Sequence, residues 1–107
     1  AKPKMKNLLL AFLLSFSAYG QNKVIVHINA EFNSSNDWNG LEALKGVKLY
    51  NGYIESNPAI KEKYNIHKVP TVILFQDSKE VYRWEAGLDM TLHATLKEIQ
   101  QKINKNE

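Results

Sequence analysis

The sequence predicts an α/β or α+β sandwich with helices on both faces of a mixed sheet. Three observations carry this. Strand-like and helix-like stretches alternate in the order β-α-β-α-β-β-α. The run Lys23 to Asn29 (KVIVHIN) is apolar and β-branched enough to be a central strand covered on both faces. The last amphipathic stretch, Met90 to Ile103, carries Leu92, Leu96, Ile99 and Ile103 on one face and lysines on the other. A chain of 107 residues is enough for one such domain and too short for two.

The elements follow in order. After the first strand comes the polar stretch Asn33-Ser34-Ser35-Asn36. Ser35 or Asn36 is placed to cap a short helix, with Asp37 favourable in its first turn. Leu41, Ala43 and Leu44 give that helix an apolar stripe, and Gly46 ends it. VKLYNGYI is a second strand region, with Asn51-Gly52 marking a turn or bulge. SNPAIKEKYNI predicts a helix capped by Ser56 or Asn57, with Pro58 at its first position and Ile60 and Tyr64 four apart on one face. VPTVILFQDSKEVYRWEAG predicts two strands joined by a tight turn at Asp77-Ser78, an antiparallel hairpin.

Charge and composition exclude several function classes. The net charge of +3 comes from Lys2, Lys4 and Lys6; from Gln21 onward eleven basic residues face eleven acidic ones. A neutral body lacks the basic stripe that phosphate neutralisation needs, so nucleic acid is not an expected partner. There is no cysteine, which excludes disulfides, thiolate metal sites and dithiol chemistry within the chain. His27, His67 and His93 are scattered with no partner at ligand spacing, so neither a metal nor another cofactor is expected.

Residues 1–20 have the anatomy of a secretory signal. Three lysines precede an apolar run from Leu8 to Phe16 broken only by Ser15, and Ala18 and Gly20 are small residues before a cut at Gln21. The run is too short to span a bilayer, which takes roughly 20 apolar residues. The expected division is therefore a signal at 1–20 and one domain at 21–107, exported to a periplasmic or extracellular space. The alternative is a retained apolar arm at 1–20, buried in a neighbour within a larger assembly such as a virion or membrane-associated complex.

VIVHINAEF, NPAIKEKYNIHKVPTVILF and EAGLDMTLHATLKEI, taken together, resemble the thioredoxin family over roughly Asn22 to Ile103. They are similar to its central strand, its Asn-Pro helix leading to an Ile-Pro-Thr segment and hairpin, and its closing helix, a resemblance that implies the α/β class, a three-layer α/β/α sandwich with a mixed central sheet. The departures from that pattern bear most on function. Asn33 and Asn36 stand where the family carries its two cysteines, and Ser34-Ser35 replace the Gly-Pro between them. Without a thiolate there is no attacking sulfur, so the resemblance implies the fold without thiol-disulfide exchange and leaves no catalytic residue assigned. From Asn36 to Pro58 the chain is also several residues shorter than the family pattern, which implies a helix trimmed by about two turns.

The resemblance further implies a cis bond before Pro70 and a backbone at Val69 held outward, where an extended peptide can pair. On that basis Phe32, Trp38, Lys68, Val69, Pro70 and Gly87 are the expected partner-binding residues, and the partner is a protein or extended peptide. Other readings stay open. Pro70 and Phe32 also fit purely structural roles. His27 fits either a hydrogen-bonded strand histidine or a base for Ser34 or Ser35. Asn33-Ser34-Ser35 fits the N-glycosylation triplet, and Tyr82 and Trp84 fit ordinary sheet packing or a partner face.

Overall fold

The computed structural model describes residues 23–105. Strand β1 (Lys23–Asn29) lies inside the sheet, parallel to β2 (Lys48–Tyr53) and antiparallel to β3 (Thr71–Gln76). β4 (Lys79–Glu85) folds back on β3, which makes the order β2-β1-β3-β4. The hairpin turn at Asp77-Ser78 has positive φ at both residues, 53° and 71°, the backbone hand that matches strand twist in a two-residue turn. Expected divisions at residues 1–20 lie outside the described residues. Among the described residues, no helix is long and apolar enough to cross a membrane.

Strand alternation sends the apolar side chains of β1 and β3 to two separate cores. On one face Val24, Val26, Ile28, Ile73 and Phe75 pack against Ile60, Tyr64 and Ile66 in and after helix α1 (Ala59–Lys63). On the other, Ile25, Val72 and Leu74 pack against Leu41, Leu92, Ile99 and Ile103, the last two from helix α2 (Leu96–Lys105). Fully burying side chains of this size contributes about 1.5–3 kcal/mol each. Arg83 of β4 links sheet to helix: its guanidinium donates to the carbonyls of Tyr64 (2.7 Å) and Asn65 (3.0 Å), just past α1, while Glu80 holds it from the other side at 2.8 Å.

The structure corrects four sequence expectations. No α-helix follows β1. Residues Glu31–Asn36 and Leu41–Ala43 form two short 3-10 helices instead, separated by Gly40 at φ 95°. Asn36, one of the two residues expected to cap a helix, donates to Asn33 Oδ1 instead, and the Trp38 N–H donates to His27, so the ladder has no start. Asn51-Gly52 is neither turn nor bulge but lies in unbroken register with His27 and Ile28 of β1. Pro58 occupies the position before α1 rather than its first residue, and no side chain caps that helix. Finally, α2 begins at Leu96, not Met90, whose φ of 61° ends any helix before it starts.

What starts α2 is a reciprocal cap. Thr95 Oγ1 accepts from the Glu98 N–H at 3.1 Å, and the Glu98 carboxylate accepts from the Thr95 N–H at 2.7 Å. Thr95→Ala is expected to cost about 1 kcal/mol by losing this cap. Ile99→Ala, at a fully buried position, is expected to cost about 3 kcal/mol through lost transfer energy and a cavity. Urea unfolding of the two variants checks the difference between them.

Candidate functional site

The turn after β1 is closed by side-chain amides. Asn33 is 6% exposed, and its Nδ2 donates to Asn29 Oδ1 at 3.1 Å and to the Met90 carbonyl at 3.0 Å, with the Val69 carbonyl at a longer 3.4 Å. Its Oδ1 accepts from Asn36 Nδ2 at 2.8 Å. Asn29, fully buried at the end of β1, donates to the Asn33 carbonyl at 3.0 Å and to Asp37 Oδ1 at 2.6 Å. Each of the two inner amides has both N–H groups engaged and its oxygen accepting. Such a network is worth more than its separate bonds, because any member left alone is buried and unpaired.

The network continues to the other side of β1. The Tyr53 hydroxyl donates to Asp37 in a short hydrogen bond. Burial, followed by that bond, pushes the Tyr53 phenol up to about 12. His27 is buried beside it. Its Nε2 accepts from the Trp38 N–H at 3.2 Å, which leaves Nδ1 to carry the proton it donates to Asn51 Oδ1 at 3.1 Å. Burial lowers the His27 pKa below 6.5, against the opposing pull of Asp37 and the Asn51 bond. Both ring nitrogens are thus occupied, and neither is turned to Ser34 or Ser35, whose residues are exposed. The strand-histidine reading fits this geometry and the base reading does not.

An apolar groove of about 330 Å³ opens at the same end of the sheet. Phe32, Ile54, Ile66, Val69, Leu88 and Met90 form its apolar walls, Gly87 completes them, and Lys61, His67 and Lys68 stand around it. Phe32 is 73% exposed and Leu88 fully exposed, although both are large apolar side chains. The Thr71 hydroxyl holds the Lys68 carbonyl at 2.5 Å, and the Val69–Pro70 bond is cis. The Val69 N–H has no partner among the described residues, while its carbonyl already faces the Asn33 amide.

With this geometry described, the solved structures that resemble it are informative. The fold is that of thioredoxin. A thioredoxin from Nicotiana alata matches with a TM-score of 0.65 at 17% identity, over 94% of this chain and 86% of that one. A thioredoxin from Fasciola hepatica matches with a TM-score of 0.61 at 17% identity, over 94% of both. No protein-family model and no curated protein sequence matches the chain. On this thioredoxin fold the chain carries no cysteine, so thiol-disulfide exchange has no nucleophile here.

The structure distributes the sequence-predicted residues unevenly. Phe32, Lys68, Val69 and Gly87 meet in the groove. Pro70 is buried behind it rather than lining it. Trp38 belongs elsewhere: it packs on the α2 side of the sheet and borders a separate polar pocket of about 220 Å³ with His27 and Asp37. Its N–H bond to His27 draws it to that side. Asn33 has no free amide, so a glycan on it is incompatible with this fold. Sequence reasoning missed Ile54, Ile66, Leu88 and Met90 as groove walls; only the apolar character of Leu88 and Met90 beside Gly87 signalled them. Tyr82 and Trp84 pack ring to ring at 4.8 Å, with Lys102 over Tyr82, on the α2 face.

Two expectations test the polar network. Asn33→Ala leaves Asn29 Oδ1 and the Met90 carbonyl unpaired, and is expected to cost about 2–3 kcal/mol in urea unfolding. His27 sets a pH dependence. Its folded pKa lies below 6.5, so as pH falls through 6.5 the unfolded chain takes up a proton that the folded chain refuses. Its contribution is complete above pH 6.5 and declines below it, by at most about 1.4 kcal/mol per pH unit. Unfolding midpoints from about pH 7.5 to about pH 5.5 are expected to fall, with a smaller fall in His27→Gln.

Proposed function

We propose that this chain is a redox-inactive binding domain that takes an extended segment of a partner protein into the groove beside Val69. The observation that carries this reading is the exposure of Phe32 and Leu88 in the lining of one concavity. Scattered apolar residues on a surface need no explanation, but two that flank an apolar cavity mark an interaction site. Covering one such side chain is worth about 1.5–3 kcal/mol. The unpartnered Val69 N–H offers the segment one main-chain bond, so affinity comes chiefly from the walls.

The same reading places the domain outside the cytoplasm, with residues 1–20 as a signal removed before Gln21. What supports this is the order of three lysines, an apolar run and two small residues. The intact mass of protein from its natural source is expected to begin at Gln21, and a mass including Ala1 counts against export by this route.

The groove is tested by capture of partners from the natural source on immobilised protein. Phe32→Ala and Leu88→Ala are each expected to weaken capture about tenfold or more while leaving thermal stability unchanged. Trp84→Phe, on the opposite face, is expected to leave capture intact. Equal capture by all variants would falsify the groove.

A further inference from the structure

We propose that the segment the groove accepts is acidic: a large apolar side chain flanked by Asp or Glu. This rests on the binding role argued above and narrows it. The groove is bordered by Lys61, Lys68 and His67, with no carboxylate in its lining. Neither lysine makes an ion pair or side-chain hydrogen bond among the described residues. The carboxylates of Glu31, Glu55 and Asp89 adjoin lining residues in the chain but lie outside the lining itself. Glu55 accepts from the Glu31 N–H at 2.7 Å, and Asp89 accepts from the Thr91 N–H and faces His93.

The charge within the lining is therefore one-sided, at a site that is otherwise apolar. The occupant that complements it has an apolar centre and negative flanks. The charge also disfavours a rival occupant within the sequence. Residues 1–20 of a second copy would bring an apolar run, but with three lysines and no acidic residue. That arm would set cation against cation. An anionic membrane surface shares the required chemistry, but the site is concave, with walls from four separate chain segments, and so suits an inserted side chain.

The test uses the full chain and three labelled synthetic peptides of equal length with the same Leu-Gly-Phe centre and Glu, Gln or Lys flanks. Fluorescence anisotropy at low salt is expected to rank them Glu, Gln, Lys, with the Glu peptide about fivefold tighter than the Gln peptide, as two exposed ion pairs allow. The preference is expected to fade at about 0.5 M salt. The double variant Lys61→Glu/Lys68→Glu should reverse the ranking, with an unchanged melting temperature showing that it folds. Glu and Gln peptides binding equally would overturn the acidic preference and leave the groove standing. No binding by any peptide would remove the groove reading, and this inference with it. Vesicles of phosphatidylserine and phosphatidylcholine supply the remaining control. If the chain sediments with them, the double variant does not, and the peptides show no preference, the site reads lipid instead.

Discussion

The buried amide of Asn33 is the contact on which this end of the molecule depends. Its four hydrogen-bonding partners come from the end of β1, from the turn itself and from the segments carrying Val69 and Met90. These last two are also walls of the groove. A single side chain therefore ties two walls of the groove together. An aliphatic residue of similar size would fill the space but leave Asn29 Oδ1 and the Met90 carbonyl without this donor, a larger loss than one hydrogen bond's modest net worth.

The second constraint is the shortness of the chain after that turn. Where a long helix would cover β1 and β2, two 3-10 helices and an irregular stretch do the work, and only Leu41 reaches the core as a fully buried side chain. Such a cover contributes little helix hydrogen bonding of its own, so side chains tie it down. His27 holds the Trp38 backbone, and Asp37 is gripped by Asn29 and Tyr53. A histidine works in this place because one ring nitrogen accepts and the other donates, which an aliphatic strand residue cannot do. The arrangement requires neutral imidazole, which burial favours over the nearby carboxylate.

Much of the fold was legible because it rests on patterning. β1 reads as a central strand and is one; the Asp77-Ser78 hairpin and the Ile60–Tyr64 stripe stand where periodicity puts them. The failures share a cause. At Ser35-Asn36, at Asn51-Gly52 and at Met90, local residue preferences suggested a cap, a turn and a helix start, and tertiary bonds or strand pairing won instead. The Thr95 to Glu98 cap was visible as Thr-x-x-Glu before an apolar run, and the longer hydrophobic period from Met90 hid it. The groove was legible only where single residues implied it. Ile54 and Ile66 come from segments far apart in sequence from Phe32, and no spacing rule joins them.

The amide network also bears on how a binding site can persist on a thiol-free version of this fold. Thiol chemistry and the groove draw on different atoms. The chemistry would need sulfur, which the chain lacks, whereas the groove is built from the walls supplied by Phe32, Val69 and the segment from Gly87 to Met90. The amides of Asn33 and Asn36 are bonded to each other, and Asn33 fastens the Met90 wall beside them. The hydrogen bonds that close the turn are thus the ones that tie the walls of the neighbouring groove together.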